Sequence, residues 1–315
     1  MPPHSPGPFD WWRALVRVLS SIEAVRDGRA MYVLLASFAG AGLAAATAQA
    51  SLGREDLVWA VGQGAAALFI AFYGSNAAGL LLMDRARGVP PRSVMDAVED
   101  ALGIGHRVFL ALAVVLAGVA VVLAGLLGLF WLSDLPVVGP WLYALVVPFT
   151  VVVLGLLFLV GGAVVGPLTG PTVWSGASSW QAVRTLWWFM RARVLQAAVL
   201  MVGLSLVTAL VGAAVSFVVF TGGRLMAEVS VWLLGVDVPP EVLMAGLFGH
   251  GLHSINPAVV PKSAMAHTVA ALVGGGVVFA LALVLPTLVY LRGVCEIYLA
   301  LVTPAPSRAA DDIVP

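Results

Sequence analysis

Residues 166–193 have the sequence GPLTGPTVWSGASSWQAVRTLWWFMRAR and separate two long apolar runs. Two prolines and a serine that can cap a helix come first, and a segment with three tryptophans and three arginines follows. Tryptophan prefers the headgroup level of a bilayer, and arginine is attracted to anionic lipid. We therefore expect residues 179–193 to form a helix that lies on the inner membrane surface between two membrane-spanning segments.

The composition of the 315-residue chain is typical of a membrane protein. It is 61% hydrophobic and 10% charged, with a mean hydropathy of +1.03, whereas a soluble domain has about 25% charged residues. The net charge is zero, so there is no overall basic field that would favour nucleic acid. The single cysteine, Cys295, excludes a disulfide framework. We expect the lipid bilayer as a partner and no nucleic acid.

Six segments are long and apolar enough to cross a bilayer, which takes about 20 residues. None of them contains an acidic residue, a basic residue or a histidine. They are Met31–Ala50, Val58–Met83, Val108–Leu132, Trp141–Val165, Val194–Phe220 and Val269–Leu291. The predicted fold class is all-α: a polytopic bundle of six transmembrane helices with amphipathic helices at the cytoplasmic interface.

The distribution of basic residues predicts the orientation, because cytoplasmic loops carry an excess of arginine and lysine. Fifteen arginines against one lysine fit a GC-rich bacterial genome, so the expected location is the bacterial inner membrane. Three basic residues fall on the outer side: Arg54, Arg224 and Lys262. The other thirteen fall on the inner side: Arg13, Arg17, Arg26, Arg29, Arg85, Arg87, Arg92, Arg107, Arg184, Arg191, Arg193, Arg292 and Arg308. A multi-pass chain with both termini in the cytoplasm fits this distribution.

Three inner segments share a pattern that suggests an internal repeat. A capping residue (Asp10, Ser93 or Ser178) is followed four positions later by Ala14, Ala97 or Ala182. One interpretation is a single membrane domain of residues 1–303 made of three units, each a surface helix and a two-span hairpin, and a disordered cytoplasmic tail of residues 304–315. The units would be 10–83, 93–166 and 178–303. The other interpretation is a chance match between inner-surface segments.

The third unit contains an outer-loop insertion, residues 221–268, which holds three of the five histidines. Leu225–Val236 and Glu241–Gly249 are apolar enough for two short helices. The prolines and charges between them exclude a seventh span over 225–249. His250 and His253 have a spacing that can place two metal ligands on one helix face. Two histidines do not complete a site, so solvated loop histidines are the simpler interpretation and no metal is predicted.

The candidate membrane-surface residues are tryptophans and arginines of the first and third surface helices. Trp180, Val183, Trp187 and Met190 recur at helical spacing and predict an apolar stripe. Trp180 and Trp187 should face the acyl boundary or the bundle, and Arg184 and Arg191 should face headgroups or cytoplasm. The full candidate set is Trp11, Trp12, Trp180, Trp187, Trp188, Arg184, Arg191 and Arg193.

One stretch also suggests a relationship to known proteins. Pro167 to Arg193, with Tyr290-Leu291-Arg292 more loosely, resembles a six-span bacterial inner-membrane domain family. That family includes the membrane domain of some glycerophosphodiester phosphodiesterases and several uncharacterised proteins. The resemblance implies an all-helical bundle with no known chemistry of its own. The chain departs from the family pattern at Trp187-Trp188 and in its long outer insertion.

No motif for catalysis or cofactor binding is present, and no span holds the histidine that a haem would need, so no cofactor is predicted. The absence of ionisable groups from the spans argues against a proton-coupled transporter. We expect a non-enzymatic scaffold, assembly factor or accessory subunit, whose partners are other membrane subunits or a second copy. The alternatives are a lipid or amphiphile transporter with its cavity inside the bundle, and a metal-dependent membrane enzyme at His250 and His253.

Overall fold

The computed structural model describes residues 9–52, 55–234 and 262–303. Within these ranges the chain is helical and contains no strand. Short α1 (Trp11–Ser20) and a 3-10 turn (Ser21–Arg26) precede the hairpin of α2 (Gly28–Leu52) and α3 (Leu57–Ala86). The remaining helices are α4 (Val94–Leu132), α5 (Gly139–Val160), α6 (Gly166–Trp174), α7 (Ser179–Ala192), α8 (Val194–Leu234) and α9 (Lys262–Val302), with a π-turn (Gly161–Val165) joining α5 to α6.

Six helical stretches of the described chain are long and apolar enough to cross a membrane. This finding confirms the predicted all-α fold with six candidate spans. The stretches are Gly28–Ala45, Leu57–Ala86, Val94–Leu132, Gly139–Trp174, Val194–Met226 and Ala282–Val302. The chain is therefore compatible with a multi-pass integral membrane protein.

Packing is concentrated around the C-terminal half of α9. Helices α2 and α3 form a closely packed hairpin, and α9 contacts this hairpin together with α8, α6, α1 and the 3-10 turn. Leu288, Ile297 and Leu301 of α9 are fully buried there, as are Leu81 of α3 and Leu200 of α8. The main hydrophobic core therefore lies at one end of the bundle, where α9 meets its neighbours.

The hairpin of α4 and α5 extends away from this core. In each of the two spans that contain α4 and α5, the most apolar 18-residue stretch is only 11% buried, against 17% in α2 and α8, 50% in α3 and 56% in α9. Leu126, Val146 and Thr150 are buried, and Phe130 of α4 meets Tyr143 of α5 edge to face. Most of the remaining side chains of the hairpin are exposed apolar groups.

Several predicted boundaries are wrong because helices continue past the predicted ends. The second surface helix does not exist separately, because α4 runs without a break from Val94 through the predicted span start at Val108. The fourth span continues through the π-turn to Trp174, so residues 166–174 belong to the span. Pro171 is accommodated because membrane helices tolerate proline where local adjustments satisfy the freed backbone groups.

The predicted outer loop 221–268 is helical at both ends. Helix α8 continues to Leu234, and α9 begins at Lys262. No break follows Phe220 because residues 221–234 contain no proline, and Arg224 and Glu228 form an i,i+4 ion pair at 3.2 Å on the continued helix. The predicted second helix of this loop, His250 and His253, and the predicted tail 304–315 lie outside the described residues.

The three predicted capping residues all cap helices. Asp10 accepts from the backbone N–H of Arg13, while Ser93 and Ser178 form capping boxes with Asp96 and Gln181. The alanines four positions later (Ala14, Ala97 and Ala182) are buried. The threefold repeat itself stays a prediction, because the second capped segment leads directly into a long span and not into a separate surface helix.

Candidate functional site

Ionisable side chains are concentrated where the start of α2, the end of α3, the start of α4 and the C-terminal half of α9 meet. We call this region the charged end, and its central residues are Asp27, Asp84, Arg85, Arg92, Arg292 and Glu296. Asp27, which precedes α2, accepts from the backbone N–H groups of Arg29 and Ala30 at 3.2 Å. Its other oxygen accepts from Arg85 Nε at 3.0 Å. Asp27 therefore stabilises the first turn of α2 and ties it to the end of α3.

Asp84, at the end of α3, is held by a bidentate arginine. Arg92 Nε and Nη2 each donate to Asp84 at 2.8 Å, and Nη1 donates to Asp100 of α4 at 2.6 Å. The hydrogen bond with Asp84 raises the pKa of the Arg92 guanidinium above its ordinary value. Arg29 donates to the carbonyl oxygens of Pro91 and Arg92. This network fixes the turn between α3 and α4.

A further ion pair lies inside α9, where an arginine and a glutamate four positions apart share one helix face. Arg292 Nη2 and Glu296 Oε1 are 2.7 Å apart, and the two side chains are 19% and 7% exposed. Arg292 Nη1 also donates to the carbonyl oxygen of Leu82 at 3.1 Å. Cys295 is fully buried beside them. The pair therefore connects α9 to α3 at the charged end.

Polar contacts also join α6 to its neighbours. Trp174 Nε1 donates to Asn76 Oδ1 of α3 at 2.9 Å, and Asn76 Nδ2 donates to the carbonyl oxygen of Phe72. The hydroxyl groups of Ser175 and Tyr298 are 2.9 Å apart. These bonds join the end of α6 to α3 and α9. They show that the charged end is built for helix packing.

The buried acids of the charged end position helices through their arginine partners. Asp27, Asp84 and Glu296 are buried and each has an arginine partner. In the part of the chain that the structure describes, no group of three or more histidine, cysteine or acidic side chains lies close enough to hold a metal. His250 and His253 fall outside that part, so the proposed metal pair is untested by the geometry.

Helix α7 presents two tryptophan–arginine pairs on its surface. Trp180 and Trp187 are more than half exposed, with Arg184 over the Trp180 ring at 5.6 Å and Arg191 over the Trp187 ring at 4.5 Å. Such cation–π contacts hold an arginine beside an amphipathic ring. The exposed face of α7 is therefore aromatic and basic together.

The face of α7 that packs on the protein is not the predicted apolar stripe. Ala182, Leu186 and Phe189 are buried, whereas Trp180 and Trp187 of the predicted stripe are exposed. The buried trio recurs at the same helical spacing, one face further round the helix. Small Ala182 permits a close approach at the core, which the bulky indoles would prevent. In α1, Ala14 and Val18 face the core in the same way, and Trp11 and Trp12 are exposed.

Arg193 differs from the other candidate surface residues because it is buried, with 6% exposure. Its guanidinium carbon lies 5.5 Å from the Phe9 ring centroid and 5.6 Å from that of Trp188. The Nε atom is buried without a hydrogen-bond partner. Burial lowers the pKa of Arg193, although arginine still stays protonated at neutral pH. Sequence reasoning missed this burial because it depends on residues before α1 covering the α7–α8 junction.

Comparisons of the chain with protein-family models, with curated proteins and with solved structures found no match. The resemblance of residues 167–193 and 290–292 to the six-span domain family therefore stays a prediction.

Proposed function

We propose that this chain is a non-enzymatic subunit of a membrane complex, acting as a scaffold, assembly factor or accessory subunit in a bacterial inner membrane. The observation that carries the proposal is the contrast between the two halves of the molecule. The charged end is closely packed and internally neutralised, whereas the hairpin of α4 and α5 is apolar and mostly exposed. A rigid base with a projecting apolar hairpin suits a protein that holds another membrane component.

The glycines support this interpretation. A Cβ atom added at Gly79 or Gly105 would collide with the ring of Trp174 or Tyr73, so these glycines already serve contacts within the chain. At Gly118, Gly125 and Gly155 nothing lies within 4 Å of the added atom. Small residues on membrane helices let another backbone approach closely. The open glycines of α4 and α5 are therefore available to an external helix.

The charged end supports a structural role over transport of protons. Each buried carboxylate in the described part of the chain has an arginine partner, and such pairs hold helices in register. Removing a single partner would leave a charge in a low-dielectric interior, which costs several kcal/mol. The network is therefore suited to keeping the base rigid while the hairpin engages a partner.

Lipid or amphiphile handling is the second candidate, and the same exposed hairpin favours it. A lipid acyl chain could occupy the surface that α4 and α5 leave uncovered, and the tryptophan–arginine pairs of α7 lie where a headgroup would. The two functions differ in what occupies the hairpin: a protein helix in the first and a lipid in the second.

Site-specific photocrosslinking in native membranes tests the proposal. A crosslinker replaces Leu127 of α4 or Phe158 of α5, which are 70% and 86% exposed, and Tyr32 of α2, 63% exposed, serves as the matched control. We expect one protein adduct of the same mass from both hairpin positions and none from position 32. That partner should also copurify in stoichiometric amount in mild detergent. Adducts to lipid alone at all three positions would contradict the scaffold role.

A further inference from the structure

Arg193 stands out among the buried charges of the described chain. The buried charged residues are Asp27, Asp84, Arg193 and Glu296. Each of the three carboxylates has an arginine within 3.0 Å. No carboxylate of the described residues pairs with Arg193, and its Nε has no acceptor. A buried charge is costly unless it is paired, so a bound anion would stabilise the Arg193 guanidinium.

The position of Arg193 in the backbone adds a second argument. The residue ends α7 and immediately precedes α8, whose first intrahelical hydrogen bond runs from the Ala197 N–H to the Arg193 carbonyl oxygen. The N–H groups ahead of Ala197 therefore lack partners within the helix. The first turn of the 41-residue α8 contains no acidic residue. A long helix with a free N-terminus attracts anions, phosphate above all.

The surroundings indicate a lipid phosphate. Arg184 and Arg191 of α7 are exposed beside Trp180 and Trp187, so the neighbouring surface attracts anionic headgroups. The Phe9 and Trp188 rings on either side of Arg193 provide apolar contact for the glycerol and upper acyl region of the same molecule. A guanidinium can bind phosphate through two parallel hydrogen bonds.

We propose that Arg193 and the N-terminus of α8 form a binding site for the phosphate group of an anionic phospholipid. The two aromatic rings orient the guanidinium, and the tryptophan–arginine pairs of α7 attract the headgroup toward it. Bound phosphate provides the counter-charge that the described residues lack. The inference is independent of the scaffold role, because it concerns α7 and α8 and not the hairpin of α4 and α5.

The test measures the thermal unfolding midpoint of the full-length protein in lipid-free detergent, with phosphatidylglycerol or phosphatidylcholine added. We expect phosphatidylglycerol to raise the midpoint of the wild type and of R26Q, a surface control at an exposed arginine outside α7 and α8. R193Q should lose the rise, with apparent affinity reduced about tenfold or more, and R193K should keep part of it. Without lipid, R193Q should be at least as stable as the wild type, because the unpaired charge is gone.

Four results would overturn the proposal. Equal losses in R26Q and R193Q would show general surface attraction only. A wild type that responds equally to phosphatidylcholine would exclude an anion site. Saturable stabilisation by inorganic phosphate or glycerol 3-phosphate, matching that by the lipid, would reject the lipid assignment. If D311N/D312N destabilises the lipid-free protein and abolishes the effect of R193Q, the anion is the chain's own tail and no lipid is needed.

Discussion

Arg292 and Glu296 are the clearest example of a single contact that holds the charged end together. Glu296 is buried and Arg292 is partly buried; the two side chains lie 2.7 Å apart, and Arg292 connects α9 to the end of α3 through the carbonyl oxygen of Leu82. Replacing a buried pair by apolar groups is often neutral, whereas removing one partner leaves a charge without compensation. Replacing one residue of the pair should therefore lower the stability of the protein more than replacing both residues by apolar groups.

We expect Arg292→Met to lower the free energy of unfolding by about 3–5 kcal/mol, because it strands the Glu296 carboxylate. The double variant Arg292→Met/Glu296→Leu should recover much of that loss. Thermal or denaturant unfolding of the detergent-solubilised protein measures both variants. A double variant whose loss equals the sum of the two single losses would show that the side chains are not coupled.

The sequence anticipates residue contacts only where they are local or strongly constrained. An arginine and a glutamate four apart on a helix predict the Arg292–Glu296 pair. Capping boxes at Ser93 and Ser178 are local in the same sense. The burial of Arg193 could not be anticipated, because Phe9 lies 184 positions earlier in the chain. Only the folded arrangement of α1, α7 and α8 brings that ring over the guanidinium.

At the scale of helices, close approach depends on small residues at particular positions. The indole of Trp174 in α6 lies directly against Gly79 of α3, where a Cβ atom would overlap the ring. The same indole donates to Asn76 one turn earlier on α3. The α3–α6 contact therefore requires glycine at position 79, whereas open space surrounds Gly118 of α4.

We expect Gly79→Ala to destabilise the protein by about 1–3 kcal/mol, because the rigid indole has to move and the Asn76 hydrogen bond is strained. Gly118→Ala is the matched control. It should leave stability unchanged or slightly raised, since alanine favours helix more than glycine does. The measurement compares the unfolding midpoints of the two purified variants with that of the wild type. Equal losses would mean that glycine flexibility, and not contact with Trp174, is what α3 requires.

Helix α7 shows that a sequence pattern can predict a helix without identifying the face that packs on the protein. Hydrophobic periodicity predicts the helix, and the capping box at Ser178 marks its start. The tryptophans mark an apolar stripe that fits the acyl boundary and the bundle equally well. The core takes Ala182, Leu186 and Phe189 instead, and Phe189 meets Tyr298 of α9 edge to face at 6.1 Å. The indoles remain outside, each beside an arginine.

The whole molecule is uneven in its packing, and the proposed function rests on that unevenness. Helix α9 joins most other elements at the charged end, while α4 and α5 extend from it as an exposed hairpin. At about 1.5 Å per residue, the 39 residues of α4 are about 58 Å long, well beyond the roughly 30 Å of hydrocarbon. Its first turns, which carry Asp96 and Asp100, therefore extend past the hydrocarbon at the charged end.

We expect the charged end to face the cytoplasm, because the arginine-rich turns lie there. Single cysteines at Val89, in the α3–α4 turn, and at Leu135, in the α4–α5 turn, test this in a Cys295→Ala background. A membrane-impermeant maleimide should label position 135 in intact spheroplasts. It should label position 89 only after the membrane is opened. Labelling of position 89 in intact cells would reverse the proposed orientation.

The sequence by itself determined the fold class and the six spans, because long apolar runs have only one stable solution in lipid: helices that satisfy their own backbone. Local patterns also determined the helix caps and the Arg292–Glu296 pair. In residues 166–193, it predicted the α7 helix but not the incorporation of residues 166–174 into the preceding span. The boundary failed because the helix continues through Pro167 and Pro171, although proline usually marks a helix end.

Only the tertiary structure decided which surfaces are buried. Apolar residues on a membrane helix are equally compatible with lipid and with a neighbouring helix, so hydrophobicity cannot tell the packed α9 from the exposed α4–α5 hairpin. For the same reason, hydrophobicity did not indicate which face of α7 is buried, or that Arg193 is buried without a paired carboxylate. These features depend on contacts between segments far apart in the chain, and such contacts leave no periodic signal in any one of them.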